Sequence, residues 1–294
     1  MTTVATVLNR ASRQMLAGVV EERNKLAASL TSNDTSVVVT YDIGGFRAGS
    51  VFEIGSELFY VWDSNPATKT ITVERGHSGT TPSSHSSGAL LTLSPRFPRA
   101  QMLDSLNADL DDLSSTTNGL FRVVSVDLSY NGSDRQVNIS SSGTIIQLLD
   151  VRLRYLSDDH PVISRVRLQT GLPTGDFASG NTLVLDEPIM AGTLRVRYKA
   201  PFTRATNESS DLTTNCFLPA TCEDIVEMGV VLRMMAGREI KRNFIESQGD
   251  TRRPDEVPAG SVTNSVANIL RLRRERIIAE AGRLKALHPI KFRK

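Results

Sequence analysis

The spacing of apolar residues changes several times along the chain, and these changes divide it into blocks. At the start, Val7, Leu8, Ala11 and Met15 follow the helical spacing, with charged residues mostly on the other faces. This pattern predicts one helix from about Val4 to Leu30. The polar run from residue 31 to residue 34 is expected to end it.

A strand-rich block follows from Ser36 to Leu93. Short β-branched and alternating runs are separated by glycine-containing turns, and the sequence Ile54-Gly55-Ser56-Glu57 is typical of a hairpin turn. Ile71 and Val73 are expected to share one face of their strand. Five short strands in about 60 residues indicate a small barrel or sandwich.

The next block is an acidic amphipathic helix that begins near Pro98, because proline is tolerated in the first helical turn. Its apolar stripe is predicted to comprise Met102, Leu103, Leu106, Leu110 and Leu113. The acidic residues are interpreted as a solvated face, or as the complement to a neighbour's basic face; they are Asp104, Asp109, Asp111 and Asp112.

A second β block runs from about Leu120 to Phe202, where six candidate strands are separated by Gly, Pro and Asp turns. Several of them alternate apolar residues with arginine, which is typical of a sheet with one solvated face. The pattern predicts an antiparallel sandwich or jelly roll. Two further helices follow, joined by a loop from Gly249 to Ser261, and a basic tail ends the chain.

Together these blocks predict an α+β protein in which a helical core carries two inserted antiparallel β modules, a small barrel and a β-sandwich. The expected segments are an N-terminal helix (1–30), a small β module (31–97), a core helix (98–118), a β-sandwich insertion (119–205), C-terminal helices (216–288) and an extended basic tail (289–294).

The charge of the chain is nearly balanced overall, at +2 for 294 residues, but it is unevenly distributed. Residues 233–294 contain 15 Lys or Arg against 7 Asp or Glu, whereas the rest contains 19 against 25. A basic end on an acidic body indicates an acidic or nucleic-acid partner, with a solvated helix face as the alternative. No signal peptide or membrane span is expected.

The residues that could support catalysis or metal binding are few. Gly76-His77-Ser78-Gly79 lacks the spacing of a hydrolase nucleophile turn, and His77 with His85 makes a poor metal site without a nearby carboxylate or thiol. Asp158-Asp159-His160 is interpreted as a turn, and Cys216 and Cys222 as packed thiols. The sequence therefore predicts no enzyme, no metal and no cofactor.

The basic end supplies the candidate contact residues, which are expected either to face DNA phosphates without sequence specificity or to dock onto a partner protein. No aromatic residue interleaves with the basic residues from Arg271 to Lys285, which favours protein docking. The candidates are Arg271, Arg273, Arg274, Arg276, Arg283, Lys285, Lys291, Phe292, Arg293 and Lys294.

Two stretches resemble the head-to-tail connector proteins of tailed bacteriophages, also called portal adaptors or neck proteins. One is VERGHSGTTPSSHSSGALL, followed by PRFPR and an acidic helix; the other is LPATCEDIVEMGVVLRMMAGREIKR, followed by a long basic helix and a tail. The resemblance covers the first 115 residues and the last 80, and leaves out the middle β block.

This resemblance implies a non-enzymatic virion protein at the head–tail junction, made in the host bacterial cytoplasm. It implies a homo-oligomeric ring, commonly of twelve subunits, that binds the portal protein and tail or further neck proteins, with a role in genome packaging and ejection. Such a ring continues the DNA channel, so non-specific contact with packaged DNA is expected, and contact with a membrane is not. By the same analogy, residues 271–294 would reach into the portal.

Three other functions remain open from the sequence. The first is a tail, baseplate or fibre-attachment protein that uses its β-sandwich for attachment. The second is a hydrolase that uses the loop containing His77 and His85. The third is a free DNA-binding protein, whose affinity would fall steeply with salt.

Overall fold

The computed structural model describes residues 2–139, 143–154, 161–247 and 261–291, with the backbone alone for 236–247 and 261–265. Helices and antiparallel sheets are both present, so the predicted α+β class is confirmed. The chain forms two compact units. Unit 1 comprises Met1–Leu110 and Arg204–Glu275, and unit 2 comprises Asp111–Thr203 and Arg276–Lys294. The division into six segments stays a prediction.

The first helix is shorter than predicted. Helix α1 (Val4–Leu16) starts at Thr3, whose side chain accepts a hydrogen bond from the Thr6 N–H, and it ends at Ala17 in the left-handed conformation with φ 48°. The expectation of a helix to Leu30 was wrong, because the chain turns here and forms strand β1 (Arg23–Lys25). Val19, which continued the apolar spacing, is 41% exposed.

Strand β1 belongs to the first β module, which the sequence assigned to residues 31–97. The other strands of that module are β2 (Ser36–Val38), β3 (Val51–Ile54), β4 (Glu57–Asn65), β5 (Thr70–Glu74) and β6 (Leu90–Leu93). All pairs are antiparallel, in the order β1-β6-β3-β4-β5-β2. The sheet curls until its edges meet, since Leu26 bridges Val39 and the Ala27 N–H donates to the Val38 carbonyl over 2.9 Å.

The inward-facing side chains of this module form one apolar core. Phe52 stacks on Phe59 with ring centroids 4.7 Å apart, and Phe46 meets Phe52 edge-on at 5.4 Å. Ile71 and Val73 are both buried, as their alternation predicted. The predicted hairpin turn is also confirmed, because Gly55 adopts φ 58° between β3 and β4.

A buried carboxylate organises the loop between β5 and β6. The side chain of Glu57 is 1% exposed and accepts two hydrogen bonds from Arg75, at 2.7 and 2.9 Å, and one from His85 Nε2 at 2.8 Å. It also accepts the backbone N–H of Ser83 at 3.0 Å. Burial alone raises a carboxyl pKa, but the bonds from His85 and Arg75 hold the pKa of Glu57 at about 2.

The guanidinium of Arg75 extends this network to the backbone. It donates to the carbonyls of Thr31, Asp34 and Ser83, and lies 4.8 Å from the Phe59 ring centroid. A single side chain therefore ties β5, the segment before β2 and the loop that leads to β6 to the barrel core.

Three helices of unit 1 meet at a second buried carboxylate. They are α2 (Arg99–Leu113), α3 (Glu223–Ser247) and α4 (Ser261–Leu287), of which α2 and α4 continue past the boundary of the unit. Asp109 on α2 is 1% exposed and pairs with Arg273 of α4 at 2.7 Å and with Arg233 of α3 at 3.5 Å. Asp109 therefore does not lie on a solvated face but fits the other interpretation, the complement to a neighbour's basic face, whereas Asp104 and Asp111 are exposed.

Gly229 of α3 faces the same carboxylate. A Cβ atom at this position would lie 2.2 Å from the Asp109 carboxyl group, so only glycine allows the two helices to approach this closely. The apolar stripe of α2 packs as predicted: Met102, Leu106, Leu110 and Leu113 are buried and Leu103 is half-buried.

Unit 2 contains two three-stranded antiparallel sheets on a common apolar core, so the predicted sandwich is confirmed. One sheet has the order β7-β12-β9 and the other β10-β11-β8. The strands are β7 (Arg122–Tyr130), β8 (Gln136–Asn138), β9 (Gln147–Arg154), β10 (Val166–Thr170), β11 (Asn181–Leu185) and β12 (Gly192–Ala200).

The end of α4 belongs to unit 2. Ile277, Ala281 and Leu284 are buried there, and the Lys291 N–H donates to the Leu149 carbonyl at 3.0 Å. The helix ends at Leu287, in agreement with the proline at position 289. The predicted loop at 249–261 lies outside the described residues except for its last residue.

We expect Glu57→Gln to lower the free energy of unfolding of unit 1 by about 3 to 5 kcal/mol at pH 7, because it breaks a buried ion pair. The folded pKa is depressed, so this stabilisation is present above the ordinary pKa of 4.5 and is lost as the pH falls towards 2. Urea unfolding, followed by the fluorescence of Trp62 on β4, measures the free energy of unfolding of both proteins at pH 7 and at a pH close to 2.

Glu74→Gln is the matched control for that experiment. Glu74 lies on the adjacent strand β5 but is exposed, so the loss of its charge changes stability by less than about 0.5 kcal/mol. Equal unfolding midpoints for the two variants at pH 7 would contradict the role given to Glu57.

A second prediction concerns the helix junction at Asp109. Gly229→Ala should lower the free energy of unfolding by about 1 to 3 kcal/mol, because the added methyl group overlaps the Asp109 carboxylate. Gly282→Ala on α4 is the control: no atom lies within 4 Å of its added Cβ, and alanine favours a helix by up to about 1 kcal/mol. Thermal unfolding by circular dichroism should move the two variants in opposite directions, and a shift in the same direction would refute the packing argument.

Candidate functional site

The residues predicted to contact a partner differ in accessibility. Arg271, Arg274, Arg283, Lys285 and Lys291 are exposed, and Arg276 is half-buried. Arg273 departs from the prediction, because it is 7% exposed and lies against Asp109 inside unit 1. It is a packing residue. Phe292, Arg293 and Lys294 lie outside the described residues.

Two of the accessible arginines share one acidic partner. Arg276 lies 3.7 Å and Arg283 2.7 Å from the carboxylate of Glu280, which is 6% exposed. These arginines flank Glu280 on α4, and part of their charge is neutralised there. Among the exposed candidates, the described residues show no carboxylate partner for Arg271, Arg274, Lys285 and Lys291, and the last two belong to unit 2.

Strand β12 adds a lysine to the basic residues of α4 within unit 2. Lys199 donates to the side-chain oxygen of Gln147 at 3.0 Å, and its ammonium group lies 4.5 Å from the ring centroid of Phe121. Burial lowers the pKa of Lys199, and the nearby positive charge of Lys285 lowers it further. Lys199 is only 9% exposed, so its charge lies largely inside unit 2, near that of the exposed Lys285.

His288 lies on the same side of unit 2. Its Nδ1 is 3.3 Å from the Arg197 guanidinium, which always donates, so Nδ1 accepts and the imidazole is neutral in this arrangement. Burial, and then the charges of Arg197 and Arg283, lower the pKa of His288. The buried carboxylate of Asp150 pairs with Arg197 at 3.1 Å and holds that arginine on the sheet.

We call the exposed Lys285 and Lys291, together with the largely buried Lys199 and the neutral His288, the basic surface; its accessible positive charge comes from Lys285 and Lys291. It supplies positive charge without a nucleophile or a base of matched pKa, so the chemistry available is electrostatic contact with an acidic protein or with phosphate groups. Lys199 and His288 were not among the contact residues predicted from the sequence. The alternation in Leu194–Lys199 contained part of the signal, because it places Arg195, Arg197 and Lys199 on one face of β12.

In the loop that contains His77 and His85, both histidines contact residues of the barrel. His85 bonds to Glu57, and His77 lies against the Tyr60 ring with centroids 5.4 Å apart. Thr80, two residues after Ser78, is extended, so Ser78 is not followed by the helix that a hydrolase nucleophile turn requires. Among the described residues, no three His, Cys, Asp or Glu side chains are arranged to hold a metal ion. Asp158-Asp159-His160 lies outside them.

Both cysteines are buried and form no disulfide, so their interpretation as packed thiols is confirmed. Burial, with the nearby charge of Asp211, raises the pKa of Cys216 to about 11. Its thiol is therefore protonated at neutral pH and is a poor nucleophile.

Unit 1 has a cleft of about 820 Å³ between α1 and the barrel. Glu53, which is 6% exposed, accepts the backbone N–H of Arg99 at 2.8 Å at the start of α2. Burial, opposed by Arg99 and aided by the charges of Glu21 and Glu208, raises the pKa of Glu53 to about 7. The Arg99 guanidinium is already engaged, by Glu208 at 2.6 to 3.0 Å and by Asn9 at 2.8 Å.

No model of a protein family matches the chain, and no curated protein matches it. Among solved structures, the chain is similar to one described as the neck of an empty GTA particle computed with C6 symmetry. The identity is 11%, the TM-score is 0.22, and the match covers 58% of this chain and 77% of the other. A TM-score this low does not establish a common fold. No helix among the described residues is long and apolar enough to cross a membrane.

The buried carboxyl of Glu53 should make the stability of unit 1 fall as the pH rises. Its folded pKa lies above the ordinary value of 4.5, so its contribution is complete below pH 4.5 and is lost as the pH passes 7. The cost at pH 8 is at most about 3 kcal/mol. Glu53→Gln keeps an acceptor for the Arg99 N–H, and its advantage over the natural protein should grow between pH 5 and pH 8.

Urea unfolding across this pH range measures the effect of Glu53. Asp104→Asn, an exposed carboxylate on α2, serves as the control and should leave the pH profile unchanged. Parallel profiles for the natural protein and Glu53→Gln would show that Glu53 does not titrate near neutral pH.

Proposed function

We propose that the protein is a structural component of the neck of a tailed phage-like particle. The single observation that carries the proposal is the segment Val73–Leu113, whose sequence resembles that of head-to-tail connectors. In the structure it comprises the end of β5, a loop fixed by Glu57, strand β6 and helix α2.

Some charged side chains of this segment are engaged in buried ion pairs, which supports a structural role. Arg75 and His85 are both bonded to Glu57, and Asp109 lies between the arginines of α3 and α4. Each of these groups fixes the backbone or packs one helix against another. Groups engaged in this way give a fixed shape, which a subunit needs if it repeats around a ring.

The finer part of the proposal concerns the neighbours of the protein. We infer a homo-oligomeric ring, of twelve copies by analogy with the connector family, that joins the portal to the tail and continues the DNA channel. The basic surface on unit 2 would contact the portal, because cationic surfaces recognise acidic partners and direct their approach. Packaged DNA is the second partner that this surface fits, through its phosphate groups.

The location of the protein in purified particles tests the proposal directly. Antibody labelling with electron microscopy should place the label at the junction of head and tail. Label at the distal tail would favour an attachment role for the β-sandwich instead. Particles without label would overturn both structural roles.

We expect Lys285→Glu with Lys291→Glu to abolish copurification with the portal ring of the same particle while leaving the fold intact. Both side chains are exposed, and the backbone bond of Lys291 to Leu149 is kept. Truncation after Arg283 is a poorer test, because it removes the buried Leu284. Copurification at low salt is the measurement.

Lys25→Glu with Arg47→Glu is the matched control, because it makes the same change in charge at exposed positions of unit 1. It should copurify normally. Binding to a 30-base-pair duplex at several salt concentrations separates the two partners. Portal binding that survives in Lys285→Glu with Lys291→Glu would refute the docking role of the basic surface.

A further inference from the structure

The outer wall of the barrel exposes the single tryptophan of the chain. Trp62 on β4 is 57% exposed, although tryptophan has a large apolar surface. It lies at a β-bulge, since Val61 pairs with Val73 and Asp63 with Thr72 while Trp62 has no partner residue on β5. Bulges redirect side chains and often mark functional positions in sheets.

The Trp62 side chain belongs to an aromatic cluster. Tyr60 lies two residues earlier on the same strand, and its ring meets that of Trp62 edge-on with centroids 4.8 Å apart. The His77 ring also lies against Tyr60, with centroids 5.4 Å apart. The three rings therefore form a continuous surface that is supported from below by the barrel strands.

Carboxylates border this aromatic cluster. Glu74 is directly opposite Tyr60 on β5 and is exposed. Its neighbour Arg75 does not neutralise it, because that side chain is 6% exposed and is held by Glu57. Asp63, next to Trp62, is exposed as well and caps only the N–H of Ser64. Among the described residues, neither carboxylate forms an ion pair.

We propose that the surface formed by Tyr60, Trp62, His77, Glu74 and Asp63 docks a partner protein through an arginine-bearing segment. The electron-rich faces of Trp and Tyr attract a guanidinium group, which also stacks on them, and the adjacent carboxylates accept its N–H groups. Exposed Trp and Tyr rings are also the commonest centres of binding energy at protein interfaces. This inference does not depend on the proposed neck function.

Because Trp62 is the single tryptophan of the chain, its fluorescence reports binding at this surface. The full chain is titrated with a peptide of four arginines alternating with glycine, and in parallel with the same peptide in which citrulline replaces arginine. Citrulline keeps the planar shape but removes the charge. We expect a saturable change in Trp62 fluorescence with the arginine peptide and none with the citrulline peptide.

Variants then assign the contacts, with binding followed by the anisotropy of a labelled peptide. Trp62→Ala and Glu74→Gln should each weaken binding by about threefold or more, because each removes one of the two attractions. Asp104→Asn removes an exposed carboxylate elsewhere in unit 1 and should bind like the natural protein. Circular dichroism confirms that each variant is folded.

Three results would overturn the proposal. Equal losses for Glu74→Gln and Asp104→Asn would mean attraction to net charge alone, and unchanged binding by Trp62→Ala would exclude the aromatic cluster. A shift of Trp62 emission with protein concentration alone, together with faster sedimentation, would assign the surface to a second copy of the chain.

Discussion

The ion pair between Glu57 and Arg75 is the interaction on which the barrel depends. A loop of about 15 residues between β5 and β6 contains little apolar surface, so the hydrophobic effect alone would not order it. Glu57 supplies the order by accepting bonds from both ends of the loop, at Arg75 and at Ser83 with His85. A buried carboxylate requires such partners, because an unpaired one would cost several kcal/mol. The loop and the hairpin therefore fix each other.

The helices of unit 1 show the same principle with different elements. Asp109 is as deeply buried as Glu57, and its partners Arg233 and Arg273 come from two other helices. Apolar stripes hold helices together, but they tolerate sliding and rotation better than a charged pair does. The close approach of Gly229 limits the arrangement further. We infer that Asp109 specifies which faces of the helices meet.

Much of the fold follows from the period of the apolar residues, which predicted the six strands of unit 2, the hairpin at Gly55 and the stripe of α2. The errors arose where the pattern contains no such information. Val19 continued the helical spacing of α1, but the left-handed conformation at Ala17 ends the helix before it. The two interpretations of Asp109 stayed open because a helical pattern shows that a position is charged without showing which charge it will meet. Pairing over more than a hundred residues, as between Asp109 and Arg273, is decided by tertiary packing alone.

The charged side chains of this protein fall into two groups, buried and exposed, that have different roles. Glu57, Asp109, Asp150 and Glu280 are nearly inaccessible and bind arginines of the same unit, so they act on shape. Lys285, Lys291 and Glu74 are exposed and have no partner of opposite charge among the described residues, so they are available to other molecules. An exposed charge contributes little to stability, and a protein can carry many of them without cost to its fold. The placement of Glu74 beside Tyr60 and Trp62, like that of Lys285 and Lys291 at the end of α4 and after it, is therefore better explained by recognition than by folding.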